Sequence, residues 1–233
     1  SAARPSPKPA ADPSARLPLS ISEVEYRKSP AGRALMARIY QPAGSGPFPT
    51  LLDLHGGAWN TKDRLANEPM DRALAESGLL VVAIDLTLAG EAHYPASVRD
   101  ANFGVRWVKA QAGLWNGDAT RLGILGSSTG GHVAQLIGMR PDYPLYNTHT
   151  LTNAPGIDAR VAYIATRSPI SDPYARYLHA EKMGRAAMVQ FTQNWFKPWD
   201  TIRDANPQEF LDRGENVALP PLLVMQGSLD DNV

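Results

Sequence analysis

The chain alternates short apolar runs with segments of helical periodicity, and this pattern predicts a sheet whose strands are joined by helices. Seven runs have the length and apolar content of strands; they cover residues 21–27, 35–40, 50–54, 79–85, 121–126, 161–166 and 221–226. Three segments have the pattern of helices; they cover residues 69–77, 95–111 and 132–139. Strands that alternate with helices are typical of an α/β protein with a mainly parallel central sheet and helices on both faces.

Three stretches interrupt the alternation. Residues 1–18 are rich in Pro, Ala and Ser and predict a flexible leader ahead of a single domain over 19–233. The leader has no apolar core, so it is not an intact signal peptide; it is either the remnant of one, which indicates export to the periplasm or medium, or a plain tail of a cytoplasmic protein. Residues 140–160 predict a surface loop, and 172–214 predict a helical cap inserted between two strands.

Composition narrows the function classes. Lys+Arg and Asp+Glu both number 23, so the formal net charge is zero and gives no electrostatic reason to expect nucleic acid or an acidic membrane as partner. The chain has no cysteine, which excludes disulfides and Cys-based metal sites. No apolar run approaches the length of a membrane span, and no cluster has metal-ligand spacing. We therefore expect no metal and no nucleic-acid partner.

The most informative motif is a glycine-flanked serine between a predicted strand and a predicted helix. Gly126, Ser128 and Gly130 form a G-x-S-x-G pattern directly after the 121–126 run. A strand, a sharp turn that carries a serine, and a helix are the context of a nucleophile elbow, where the hydroxyl is exposed on a strained turn. The register puts Ser128, and not Ser127, at the tip. A glycine- and serine-rich turn without chemistry is the other interpretation of this pattern.

A second motif begins where the 50–54 run ends. The five residues His55-Gly56-Gly57-Ala58-Trp59 follow this predicted strand directly. Glycines at such a turn keep side chains away from a substrate carbonyl and leave backbone N–H groups free to stabilise an oxyanion. Because ligands of open α/β sheets bind at the carboxyl ends of the strands, we expect this motif and the serine motif, about 70 residues apart, to share one site.

These motifs, together with residues 84–100 and 221–233, make the chain resemble an α/β-hydrolase of the esterase and lipase group. The resemblance is closest to the hormone-sensitive-lipase-like and the acetylxylan- or feruloyl-esterase-like branches, and it covers roughly residues 20–233. It implies the α/β-hydrolase fold with a cap, a serine nucleophile and hydrolysis of a small-molecule carboxylic ester without a cofactor.

The resemblance also implies site residues. Ser128 is the nucleophile, and the N–H groups of Gly57, Ala58 and Thr129 form the oxyanion hole. The family pattern G-x-x-D-x-x-V over 227–233 selects Asp230, and leaves Asp231 as its neighbour.

A histidine base is expected after the acid in this family, in the order Ser, Asp or Glu, His. All histidines of the chain precede Asp230; they are His55, His93, His132, His149 and His179. We expect His55 to support the oxyanion turn and His132 to have no catalytic role. The catalytic histidine is therefore expected beyond Val233. The last strand–helix unit of the fold is expected there too, as a continuation of the chain or as a separate C-terminal fragment of the same protein.

Aromatic residues are the remaining candidates for substrate contact. Trp59 adjoins the oxyanion turn, and Trp195 belongs to an aromatic group in the 172–214 insertion. We expect these two rings to bind substrate, and most other rings of the insertion to hold the cap onto the body.

Two other functions stay open. A peptidase or amidase uses the same machinery, since the fold does not fix the substrate. A non-catalytic binding protein that has lost the base would keep the pocket and the cap, but such a protein has no need of the elbow or of Asp230.

Overall fold

A seven-stranded sheet forms the centre of the molecule in the computed structural model, which describes residues 8–232. Its strands are β1 (Leu19–Lys28), β2 (Ala34–Pro42), β3 (Phe48–Leu54), β4 (Leu80–Ile84), β5 (Gly117–Ser127), β6 (Ile164–Arg167) and β7 (Leu222–Met225). In space they are ordered β1-β2-β4-β3-β5-β6-β7. Only the pairs β1–β2 and β2–β4 are antiparallel among the pairs of the described sheet. The predicted, mainly parallel sheet is confirmed.

Helices cover both faces of the sheet and form the cap. They are α1 (Glu68–Glu76), α2 (Ala96–Gln111), α3 (Thr129–Met139), α4 (Pro173–Lys182), α5 (Ala186–Trp195), α6 (Thr201–Asp204) and α7 (Pro207–Asp212). The last four lie within the insertion predicted over 172–214. Two of them begin with a side-chain cap: Asp172 accepts from the N–H of Ala175, and Asn206 accepts from the N–H of Glu209.

The alternation of side chains along β3 divides the core into two layers. Leu52 and Leu54 belong to the larger apolar cluster, which also contains residues of α2 and α3. Leu51 belongs to a smaller cluster that includes residues of α1. Strand β4 is fully buried at all five positions, as expected for a strand covered by helices on both faces. The two layers hold the carboxyl ends of β3 and β5 side by side, with Leu54 paired to Gly126.

Part of the predicted leader contacts the domain. Residues 8–18 form no helix or strand, but they are bound to the domain. The N–H groups of Asp12 and Leu17 donate to carbonyls at the end of α1, and Arg121 donates to the carbonyl of Pro9 at 2.6 Å. The flexibility of the leader stays a prediction, while these backbone groups of residues 8–18 have partners on the body. The predicted leader residues 1–7 lie outside the described part of the chain.

Strand β7 is an exposed edge of the sheet. Its four side chains, Leu222 to Met225, are 41–56% exposed, although all are apolar. At the other edge, β1 pairs with β2 along almost its whole length. No helix of the described residues is long and apolar enough to cross a bilayer.

Candidate active site

Ser128 occupies a strained turn between β5 and α3. Its backbone has φ 54° and ψ −119°, a conformation that a residue with a side chain rarely adopts. Its N–H donates to the carbonyl of Arg167 at the end of β6, and its carbonyl accepts from the N–H of His132. Ser128 is half-buried, whereas Ser127 and Thr129 beside it are buried. The structure thus puts Ser128 at the tip of the turn, in the geometry of a nucleophile elbow.

Two glycines let the turn form because they allow backbone segments to approach closely. A Cβ at Gly126 would stand 2.3 Å from the carbonyl oxygen of Gly130. A Cβ at Gly130 would stand 2.1 Å from the carbonyl oxygen of Leu54, the last residue of β3. Neither contact can be relieved by a side-chain movement. The G-x-S-x-G spacing therefore sets the packing of the elbow against the strand that carries the second motif.

The second motif forms a loop of left-handed backbone beside the elbow. Gly57, Ala58 and Trp59 have φ values of 106°, 53° and 58°. No hydrogen bond within residues 8–232 uses the N–H of Gly57 or of Ala58 as donor. Thr129 is the first residue of α3, where a backbone N–H has no partner inside the helix. Three free donors, one of them at the positive end of a helix dipole, are thus available beside Ser128.

Two histidines near the elbow have structural partners on both ring nitrogens. The His55 Nδ1 atom lies 2.7 Å from the carbonyl of Gly56, and its Nε2 atom accepts from the N–H of Leu86. The Nδ1 atom of His132 accepts from the indole of Trp59 at 3.2 Å, while Nε2 lies 2.7 Å from the carbonyl of Ala205. Burial lowers the pKa of His55, and it lowers the pKa of His132 to about 4. Both rings therefore have the surroundings of structural residues.

The remaining histidines lie in other surroundings. His93 and His179 are exposed, and His149 is half-buried in the surface loop. Burial and the nearby guanidinium groups of arginines lower the pKa of His149 to about 4. His179 lines a cavity of about 550 Å³ together with Asp231, but Ser128 is not part of its wall. The structure brings none of these three rings into contact with the elbow.

Asp230 lies on the turn after β7, two strands away from Ser128. The strand between them links the two positions, because the N–H of Ser128 bonds to Arg167 and the N–H of Ser168 bonds to Met225. One carboxylate oxygen of Asp230 accepts from the N–H of Asn232 at 3.0 Å. This bond, followed by one from Ser168, lowers the pKa of Asp230, so it is ionised at neutral pH.

Trp59 and Trp195 occupy positions that differ from the prediction. Their indole rings stack on each other with centroids 5.0 Å apart and planes at 8°, and their exposed fractions are 5% and 0%. Phe196 packs edge-on against both rings. This arrangement leaves neither ring open to a substrate. The two tryptophans hold the cap onto the body, the role that we expect of most cap rings. Their burial argues against the predicted contact with substrate.

The sequence patterns did not predict a buried pair of carboxyl groups. Asp53 on β3 and Asp71 on α1 are 1% and 0% exposed, and their carboxyls lie against each other. The amide of Asn67 donates to Asp53, and Asn67 in turn accepts from Arg167. Burial raises the pKa of both groups, and repulsion by Asp53 raises that of Asp71 further. The signal in the sequence is a lone acid within the apolar run Leu51–Leu54.

Sequence similarity assigns the chain to a known family. A family model described as BD-FAE matches residues 38–233. The chain belongs to the BD-FAE family. Esterase B from Lactobacillus rhamnosis, solved in an inhibited state, superimposes with a TM-score of 0.73 over 94% of this chain and 70% of its own, at 21% identity. The likeness to solved esterases and the sheet order establish the α/β-hydrolase fold.

Relatives of this BD-FAE chain include proteins named as ester hydrolases. A probable carboxylic ester hydrolase of Mycobacterium tuberculosis, LipM, is 26% identical over 194 residues, which are 81% of this chain and 43% of that protein. The ethyl acetate hydrolase of Pseudomonas putida is 32% identical over 110 residues, which are 46% of this chain and 35% of that enzyme. The chain thus spans less than half the length of these curated relatives.

Within residues 8–232, no group of three or more His, Asp or Glu side chains could hold a metal ion.

Proposed function

We propose that the protein hydrolyses small, uncharged carboxylic esters through an acyl-enzyme on Ser128. The observation that carries this proposal is the meeting of a strained, half-buried serine with a loop whose two backbone N–H groups have no partner in the described chain. A turn without chemistry has no need of either feature, and both cost conformational free energy. The ester hydrolases among the relatives support the same reaction class.

The chemistry follows from these groups. The Ser128 oxygen attacks the ester carbonyl carbon while a base takes its proton. The carbonyl oxygen becomes an oxyanion, which accepts from the N–H groups of Gly57, Ala58 and Thr129; each such donor stabilises a transition state by about 3 kcal/mol in other serine hydrolases. The alcohol leaves with the proton, and water then attacks the acyl-enzyme to release the acid.

The base is a histidine outside residues 1–233 in this proposal. His55 and His132 are engaged at both ring nitrogens, and within residues 8–232 no side-chain hydrogen bond joins the other three histidines to the elbow. Asp230, ionised and close to the strand ends, would orient such a histidine and stabilise its charged form. The histidine would reach the site on a continuation of the chain or on a separate C-terminal fragment.

A fluorophosphonate probe tests the proposal on the full-length protein, because the probe reacts with an activated serine. We expect one adduct on Ser128, located by peptide mapping, and turnover of p-nitrophenyl acetate. Ser128→Ala should abolish labelling and lower kcat by about 10⁴-fold or more. Ser127→Ala is the matched control, because the Ser127 hydroxyl adjoins Ser128 in sequence and is buried without a partner in the described chain. The kcat of this variant should stay within about threefold of wild type.

The alternatives make different predictions for the same preparation. Faster turnover of p-nitroanilides than of p-nitrophenyl esters would favour a peptidase or amidase. Absence of both labelling and turnover in the full-length protein would contradict the hydrolase proposal and favour a binding protein without a base.

A further inference from the structure

The oxyanion loop adopts a backbone that it would not keep without outside support. Three consecutive residues, Gly57, Ala58 and Trp59, have φ between 53° and 106°, and two of them carry a Cβ. Residues with side chains persist in this region only where their surroundings over-determine the conformation. Because the loop carries two free N–H donors, whatever holds it also sets where those donors point.

Three hydrogen bonds of Trp59 connect the loop to the body. Its carbonyl accepts from the N–H of Ala89 at 2.9 Å, and its indole donates to His132 at 3.2 Å. Its backbone N–H donates to the side-chain oxygen of Thr129 at 3.3 Å. This last bond differs from the others, because it joins the residue after Ala58 to the residue after Ser128. It is thus a direct link between the two backbones that carry the oxyanion donors.

We propose that the Thr129 hydroxyl is a positioning group that sets the distance between the two parts of the oxyanion hole. The N–H groups of Gly57 and Ala58 come from the loop after β3, and the N–H of Thr129 comes from α3. The Thr129 side chain accepts a hydrogen bond from Trp59, the residue after Ala58, so it joins these two segments close to the donors. The inference rests on the proposed esterase function and adds a role for a side chain in it.

The burial of Thr129 indicates that its hydroxyl acts through the loop and does not contact substrate. The residue is 2% exposed. The cavity that its side chain lines, together with Trp59 and Ser97, has a volume of about 10 Å³, which suffices for one water molecule and not for an ester. Loss of the hydroxyl should therefore alter the geometry of the donors while leaving ground-state substrate binding unchanged.

The test compares isosteric and conservative variants of the full-length protein. Thr129→Val keeps the shape and removes the acceptor, and Thr129→Ser keeps the acceptor. Thr50→Val is the matched control: Thr50 is also buried, its hydroxyl also bonds to the backbone by donating to the carbonyl of Phe48, and it lies in β3 away from the loop. For each variant, kcat and KM for p-nitrophenyl acetate are measured with the Ki of a trifluoromethyl ketone, whose adduct places an oxyanion in the hole. Thermal unfolding reports folding.

We expect Thr129→Val to lower kcat by about 10- to 100-fold, somewhat less than the loss of a whole donor, with KM within about twofold. The Ki of the ketone should rise by the same factor as kcat/KM falls, and Thr129→Ser should recover most of both. Thr50→Val should leave all three constants unchanged. If Thr129→Val does not fold, Thr129→Ala is measured against the same expectations.

A Thr129→Val enzyme with wild-type kcat and Ki would overturn the inference while leaving the esterase proposal intact. So would equal losses in Thr129→Val and Thr129→Ser, since the hydroxyl would then not be the group that matters. A wild-type protein that neither reacts with the fluorophosphonate nor turns over esters would contradict the proposed function itself, so the two failures are distinguishable.

Discussion

The two halves of the candidate catalytic site differ in how deeply the strands that lead to them are buried. The serine half consists of β3, β5, α3 and the turns that carry Ser128 and Gly57, and residues 122–127 of β5 are buried throughout. The acid half, consisting of β7 and the turn over 226–232, has side chains that are 41–56% exposed along the strand. Within residues 8–232, the strand that leads to Ser128 is thus enclosed, whereas the strand that leads to Asp230 is exposed.

The two halves owe their geometry to different kinds of contact. The serine turn is determined by contacts between backbones that cannot relax, such as Gly130 against Leu54. The acid turn is held by a few bonds at the surface. Arg176 of α4 donates to the carbonyl of Asn232 at 2.7 Å, and Arg185 donates to Asp231. A Cβ added in the serine turn should therefore destabilise the fold, whereas a change in the acid turn should affect catalysis more than folding.

Removing the carboxylate of the acid turn should have the strongest effect of all, and it should fall on catalysis. In the full-length protein, Asp230→Asn should lower kcat by about 10⁴-fold, because the histidine would lose the carboxylate that orients it. The free energy of unfolding should change by less than in Gly130→Ala, because the isosteric change introduces no steric clash. Esterase assays and urea unfolding measure the two effects. Asp231→Asn is the control, and a larger loss in that variant than in Asp230→Asn would assign the acid to Asp231.

The next effect concerns stability in the serine half. Gly130→Ala should destabilise the fold by about 3 kcal/mol or more, because its Cβ would meet a backbone carbonyl that cannot move aside. Gly227→Ala, on the acid turn, should cost less than about 0.5 kcal/mol, since its Cβ would meet only the Cβ of Asp230 at 3.8 Å. Urea unfolding of both variants measures the difference. Similar losses in the two variants would remove the contrast between the halves.

A smaller effect is expected from pH. Burial and mutual repulsion raise the pKa of Asp71 in the folded state, so from about pH 4 upward the folded protein binds more protons than the unfolded chain, and stability falls as pH rises through this window. Asp71→Asn removes the ionisable group and should raise the free energy of unfolding at pH 8.5 by roughly 1–2 kcal/mol. It should also flatten the dependence on pH.

Unfolding titrations at pH 5.5, 7 and 8.5 check this prediction. Asp200→Asn, a change at an exposed aspartate, is the control and should leave the slope unchanged. A wild-type slope retained in Asp71→Asn would mean that the carboxyl pair is not the titrating group.

The sequence predicted those parts of the molecule that local pattern determines. Apolar runs located every strand, and the glycines at 126 and 130 identified the elbow, because a close backbone approach needs a residue without Cβ. The family was identified from the same motifs. The observed boundaries differ mostly at the ends; β5, for example, begins at Gly117, where it pairs with Phe48.

Contacts between distant segments could not be predicted in this way. Trp59 and Trp195 were expected to meet substrate, but they meet each other across 136 positions of sequence. The bond from Trp59 to Thr129, the pairing of Asp53 with Asp71 and the docking of residues 8–18 are also products of tertiary packing. In each case a side chain or backbone group was satisfied by a partner that no local pattern indicates.

The strand order has a consequence for how the molecule is made. From β3 onward, β5 adds beside β3, β6 beside β5 and β7 beside β6, so this side of the sheet grows outward in the order in which the ribosome delivers the strands. The template for each new strand is already exposed when that strand emerges. We therefore expect the turn that carries Ser128 to meet β3 during synthesis before β7 and the turn that carries Asp230 are added to the sheet.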